Sequence, residues 1–134
     1  MPRLSVWMLR LSLLALLAGS IPGAWLLATE PAFHPSTPAL RLLHRDLMLF
    51  GWLVQFVLGV AYWMFPRYPR APERGSSGLA WAAFWLFESG LGLTLWGAAS
   101  SLPDLAGSGR MVLAGATAGF LLLLWRRVRP FGAA

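Results

Sequence analysis

His44, at the start of a long apolar segment, is the residue of this chain best suited to chemistry. Histidine is the commonest metal-ligating side chain, and an ionisable residue in a membrane-spanning segment is a functional hypothesis by default. Residues three or four apart share one helix face. The face that begins at His44 continues through Met48, Gly51, Gln55, Gly59 and Tyr62. Its two glycines would either leave a smooth groove for a flat ligand such as haem or let a neighbouring helix approach closely.

Three arginines are expected at the same membrane level as His44. Arg41 and Arg45 flank it in the chain, and Arg110 begins the fourth apolar segment. Haem propionates are carboxylates, and the guanidinium fork is well shaped to hold a carboxylate. The alternative is that these side chains extend to the membrane surface, partly balanced by Asp46.

The segment around His44 has a family signature. It reads His44-x3-Met48-x-Phe50-Gly51-Trp52, followed by Phe56-x2-Gly59-x-Ala61-Tyr62-Trp63-x-Phe65-Pro66-Arg67. This pattern resembles the second transmembrane helix of haem-copper oxidase subunit I and its nitric oxide reductase relatives. The resemblance implies that His44 is an axial ligand of a low-spin haem near the outer membrane face. It covers only this helix.

The chain departs from that family in its number of histidines. It has 2, His34 and His44, whereas a copper centre needs several histidine ligands. A binuclear oxygen-reducing site therefore cannot be assembled from one chain, and we do not expect an independent enzyme. The second axial ligand of a haem would be His44 of a second subunit, His34, Met111, or a position left open for a gas. We favour a homodimer.

The elements that must position His44 are transmembrane helices. The chain has 134 residues, of which 57% are hydrophobic and 12% charged, whereas soluble domains average about 25% charged residues. A membrane span needs about 20 apolar residues. The sequence predicts an all-α integral membrane protein with a single domain over 1–134 and four transmembrane helices, at about 4–28, 39–65, 79–101 and 110–127. Short connections predict an up-down-up-down bundle.

The charge distribution predicts the orientation. The net charge is +6, and all 11 basic residues are arginines at or near span ends, which favours a lipid bilayer rather than nucleic acid as partner. The positive-inside rule places both termini in the cytoplasm. We expect the protein in the inner (plasma) membrane. On this topology Leu102 to Gly109 is an outer loop. Cysteine is absent, which excludes disulfides and thiolate metal sites.

Glu88 is expected near the middle of the third span. A carboxyl group there would act as a proton relay, as a polar contact across a subunit boundary, or in an interhelical hydrogen bond to Gln55 or Tyr62. An ion pair with Arg10 is a further alternative.

The sequence thus predicts a small membrane protein that binds haem b through His44 and serves electron transfer or diatomic-gas binding. Two alternatives stay open. One is a cofactor-free accessory or assembly subunit that packs against respiratory-chain proteins. The other is a copper-handling protein that uses His34, His44, Met48 and Met111, although the chain lacks clustered methionine or cysteine ligands.

Overall fold

A computed structural model describes residues 1–28, 37–68 and 74–128, and the regular elements of these ranges are all helices. In chain order they are α1 (Arg3–Ala28), α2 (Thr37–Asp46), a π-helical segment (Leu47–Val54), α3 (Gln55–Met64), α4 (Ser77–Ala99) and α5 (Pro103–Trp125). Helix α2, the π-helical segment and α3 join into one continuous span, Pro38–Met64, which is called the second span. The described residues thus contain four helices long and apolar enough to cross a membrane, as predicted.

Local sequence explains where the last two helices begin. The Ser76 hydroxyl accepts a hydrogen bond from the Leu79 N–H at 3.3 Å and so caps α4. Helix α5 begins at Pro103, earlier than the predicted residue 110. Proline suits a first helical turn because its missing N–H would have had no partner there. Most of the predicted outer loop from Leu102 to Gly109 is therefore helical.

Helix α1 packs antiparallel to the second span. A Cβ built on Gly51 would lie 2.9 Å from the Ala15 Cβ, and one built on Gly59 would lie 3.0 Å from the Met8 Cβ. Nearer the other end of α1, Gly23 faces His44. Early residues of α1 thus meet late residues of the second span.

Helices α4 and α5 form a second antiparallel pair, with even closer backbones. A Cβ on Gly97 would overlap the backbone nitrogen of Ala106, and one on Gly109 would lie 2.5 Å from the Thr94 nitrogen. These glycines permit backbone contact in the way that small residues do at membrane helix interfaces.

The two helix pairs meet through polar contacts at both ends of the second span and through an apolar core between them. Asp46 pairs with Arg110 of α5 at one end, and Arg127, just after α5, bonds to the end of α3 at the other. The buried core includes Met8, Phe84, Phe87, Leu113 and Phe120. The outer surface is apolar: Leu17, Ile21, Leu122 and Trp125 expose 66%, 68%, 74% and 77% of their areas. Such a surface suits contact with a bilayer.

Candidate functional site

His44 makes one specific contact, to helix α1. Its Nδ1 lies 2.8 Å from the backbone oxygen of Gly19. A carbonyl oxygen only accepts hydrogen bonds, so Nδ1 carries a proton, and in the neutral imidazole Nε2 is then the nitrogen with the lone pair. This is the arrangement found in metal-ligating histidines, in which a hydrogen bond to one ring nitrogen orients the other toward the metal.

Gly23 makes room for the imidazole. A Cβ at this position would lie 2.6 Å from both the Cε1 and the Nδ1 of His44, well inside van der Waals contact. Ring and helix can approach this closely only because residue 23 has no side chain. The position of His44 therefore depends on the sequence of α1 as well as on its own helix.

A cavity of about 500 Å³ adjoins His44 on the outside of the helix pair. It is lined by Ser20, Gly23, Ala24, Leu26, Leu27 and His44. Its far wall is exposed, since Leu27 has 88% of its area accessible. The imidazole is thus half-buried beside an apolar space that a ligand or a second chain can enter from the membrane side.

Met48, the other potential soft ligand on this face, packs against the same part of α1. Its sulfur would lie 3.1 Å from a Cβ built on Gly19, the residue whose carbonyl binds His44. The two side chains therefore lie on one side of any metal bound to His44. The predicted ligand Met111 is not brought to this cavity, because it lies on α5 with 76% of its area exposed and does not line the cavity. His34, the other predicted ligand, lies outside the described residues.

Gly51 and Gly59 do not line an open groove. Ala15 and Met8 of α1 occupy the space beside them. Of the two interpretations of these glycines, close helix packing is the one seen in this structure. Between His44 and Gln55 the helix has π-type hydrogen bonding, and the Gln55 N–H bonds to the Phe50 oxygen five residues earlier. Such wide turns are rare and frequently occur at functional sites.

Two of the three arginines expected to bind propionates are paired with an acid of the chain itself. The Asp46 carboxylate is 1% exposed and accepts hydrogen bonds from Arg45 at 2.9 Å and Arg110 at 2.8 Å. Arg110 keeps one buried donor, Nε, without a hydrogen-bond partner in the described ranges. Arg41 is exposed. Arg41 is thus the exposed arginine of the three that Asp46 does not bind.

Glu88 forms the interhelical hydrogen bond that was one of its predicted roles. The amide Nε2 of Gln55 donates to a Glu88 carboxyl oxygen at 2.5 Å. Gln55 is fully buried, and its own Oε1 has no partner within the described part of the chain. Arg10 lies on the exposed side of α1. Glu88 therefore joins the second span to α4 through Gln55.

Arg127 has a structural role that sequence reasoning missed. It is 1% exposed and donates to three backbone oxygens at the end of α3: Tyr62 at 3.1 Å, Phe65 at 2.7 Å and Pro66 at 3.0 Å. In a continuing helix Tyr62 O would accept from the N–H of residue 66, but proline has none. Arg127 supplies the missing donor. From the sequence, Pro66 indicates that a carbonyl at the end of α3 lacks its usual N–H donor, but it does not indicate that Arg127 supplies the replacement.

No group of three or more His, Asp or Glu side chains that could hold a metal ion occurs among residues 1–28, 37–68 and 74–128. A haem iron, with four ligands of its own, would need only His44 as a ligand from this part of the chain. This donor set therefore fits a haem that obtains its second axial ligand elsewhere.

Comparison with known proteins agrees with the signature of the second span. The family model described as "Cytochrome C and Quinol oxidase polypeptide I" matches residues 3–127. No curated protein and no solved structure matches the chain. The match extends far beyond the second span to all four membrane helices. The chain is a multi-pass membrane protein that belongs to the haem-copper oxidase subunit I family.

Proposed function

We propose that this protein is a small membrane cytochrome that binds haem b through Nε2 of His44 and serves electron transfer or diatomic-gas binding. The observation that carries the proposal is the hydrogen bond between His44 Nδ1 and Gly19 O, which leaves Nε2 as the nitrogen for iron in a histidine that lines an apolar cavity. Family membership supports it, because the matching histidine in that family is a haem ligand.

The residues around the cavity suit a flat apolar group with charged edges. Ala24, Leu26 and Leu27 provide apolar contact, and exposed Arg41, one helical turn before His44, would meet a propionate. When bound, the iron would supply one-electron redox chemistry or gas affinity, tuned by its axial ligand and the dryness of the site. The chain's own contribution is to hold the imidazole in one tautomer and one direction.

A second copy of the chain is the best source of the other axial ligand. The cavity is open on one side, and in a two-fold symmetric dimer His44 of each copy would hold the same haem. His34 remains the intrachain alternative, whereas Met111 does not line the cavity. We further propose an inner-membrane location with both termini in the cytoplasm, and electron exchange with respiratory-chain proteins.

The test is the visible spectrum of the purified protein, with iron and copper contents measured alongside. We expect a Soret band with low-spin b-type features in the wild type and in Met111→Leu, and its loss in His44→Ala. Retention of the band in His44→Ala would refute the assignment. A spectrum changed by His34→Ala would identify His34 as the second ligand, and a copper-loaded, haem-free preparation would support the copper-handling alternative.

A cofactor-free accessory or assembly subunit is the second candidate. It is favoured by the packing of Gly51 and Gly59 against α1 and by the use of Arg45 and Arg110 to neutralise Asp46. On this view the surface around Leu27 contacts a larger respiratory subunit. A colourless protein that takes up no added haem and co-purifies with such a complex would support it.

A further inference from the structure

A second cavity lies at the end of the molecule opposite His44, between α4 and α5. Its volume is about 530 Å³. The walls are Leu79 and Ala83 of α4 and Gly119, Leu122 and Leu123 of α5, and the mouth is formed by Tyr68, Gly75 and Arg126. It is unrelated to the proposed haem site.

The cavity exists because α4 and α5 separate toward this end. In their other half the backbones touch at Gly97 and Gly109. At Gly119 a Cβ would lie 4.0 Å from the Ala83 Cβ, its nearest neighbour in the described chain. From Gly119 to Arg126 the groove extends about 10 Å along the helix axis, at about 1.5 Å per residue.

Arg126 lines the mouth of the cavity. Two further arginines adjoin its lining residues in the chain: Arg74 precedes Gly75, and Arg127 follows Arg126. These three arginines are called the basic cluster. Two donors in this cluster, Arg74 Nε and Arg127 Nη1, are buried and have no hydrogen-bond partner in the structure described. Burial lowers the pKa of Arg127, Tyr62 opposes this shift, and the like charge of Arg74 adds to it.

The acids of the described residues lie elsewhere: Asp46 and Asp104 near the opposite end, and Glu88 in the middle of α4. Glu73 is outside the described residues. Buried donors without acceptors are costly, so this cluster is suited to an anion from outside the chain.

We infer that this groove binds an anionic phospholipid, with the headgroup phosphate at Arg74 and Arg126 and an acyl chain along Leu79, Ala83, Gly119 and Leu122. Basic pockets between transmembrane helices are typical sites for such headgroups. The walls face the bilayer, since Leu79 and Leu122 expose 61% and 74% of their areas. The ligand therefore arrives laterally from the membrane. A phosphate satisfies two arginines better than the neutral ring of a quinone does.

The test is native mass spectrometry of the full-length protein, with or without haem, after equilibration with mixed phosphatidylglycerol and phosphatidylcholine. We expect preferential retention of phosphatidylglycerol in the wild type. Arg74→Gln with Arg126→Gln should weaken its retention about 25-fold, at about fivefold per arginine. The matched control is Arg3→Gln, an exposed arginine at the same end of the molecule, which should leave retention unchanged.

Two further measurements distinguish the contribution of the lipid headgroup to binding from that of the acyl chain. Gly119→Leu would fill the groove and should lower retention of both lipids, with thermal unfolding used to verify that this variant folds. Inorganic phosphate alone should not displace the bound lipid, because the walls contribute to binding. Three results would each overturn the proposal. The first is equal retention of the two lipids with no effect of the double substitution. The others are displacement of the lipid by inorganic phosphate and retention of a quinone instead of a lipid.

Discussion

Gly23→Ala adds a single methyl group beside His44 and so tests whether the hydrogen bond to Gly19 O positions the imidazole. The added Cβ would lie 2.6 Å from Cε1 and Nδ1 of His44, whereas ordinary contacts are 3.4–4 Å. The imidazole must therefore move away from α1 by about 0.8 Å. If the ring moves along the direction of its bond to Gly19 O, that bond lengthens from 2.8 Å to about 3.6 Å, a separation that is no longer a hydrogen bond.

The consequence for haem follows from the role of the lost bond. Partners that orient a ligating histidine typically contribute about 10–100-fold to metal affinity. We expect Gly23→Ala to weaken haem binding by about this factor, with the His44 side chain still present. The assay is titration of the haem-free protein with haem, followed at the Soret band.

The matched control is Gly92→Ala, a helical glycine with no described atom within 4 Å of its Cβ position, which should bind haem like the wild type. Imidazole ¹⁵N NMR of the haem-free protein gives an independent readout, because wild-type His44 should have its proton on Nδ1 and Gly23→Ala should lose that preference. Unchanged affinity and an unchanged NMR signature in Gly23→Ala would refute the reasoning.

Three further predictions concern the contacts between helices, and all are measured by thermal unfolding in detergent. Arg127→Gln removes charged hydrogen bonds to the end of α3 and should lower the free energy of unfolding by about 2–4 kcal/mol. The control Arg3→Gln should leave it unchanged. Equal unfolding midpoints for the two variants would contradict the hydrogen bonds described for Arg127. Glu88→Leu leaves the buried amide of Gln55 unpaired and should cost about 1–3 kcal/mol, whereas Glu88→Gln retains a partner; similar stabilities of these two variants would show that the hydrogen bond contributes nothing. Gly109→Val would force α5 away from the Thr94 backbone and should destabilise the protein by at least about 3 kcal/mol, so near-wild-type stability would disprove the backbone contact.

The arginines show why the partners of charged residues could not be read from the sequence. Arg45, Arg110 and Asp46 were all recognised as charges at one end of the protein. The pairing of Arg110 with Asp46 joins residues 64 positions apart, through the contact of α5 with the second span. Spacing along one helix indicates which side chains share a face, but not which residues of another helix lie opposite. The same limit explains why Arg127 was missed.

The glycines mark the division between what the sequence by itself determined and what the tertiary structure decided. Four membrane helices follow from the chain alone, because about 20 consecutive apolar residues are needed to span a bilayer whatever packs beside them. The prominence of His44 likewise follows from its residue type and position. Whether the space beside Gly51 and Gly59 belongs to a cofactor or a helix depended on the side chains of α1, and the structure places Ala15 and Met8 there. It also places Gly19 O at His44, since a backbone carbonyl becomes a partner only when two helices pack together.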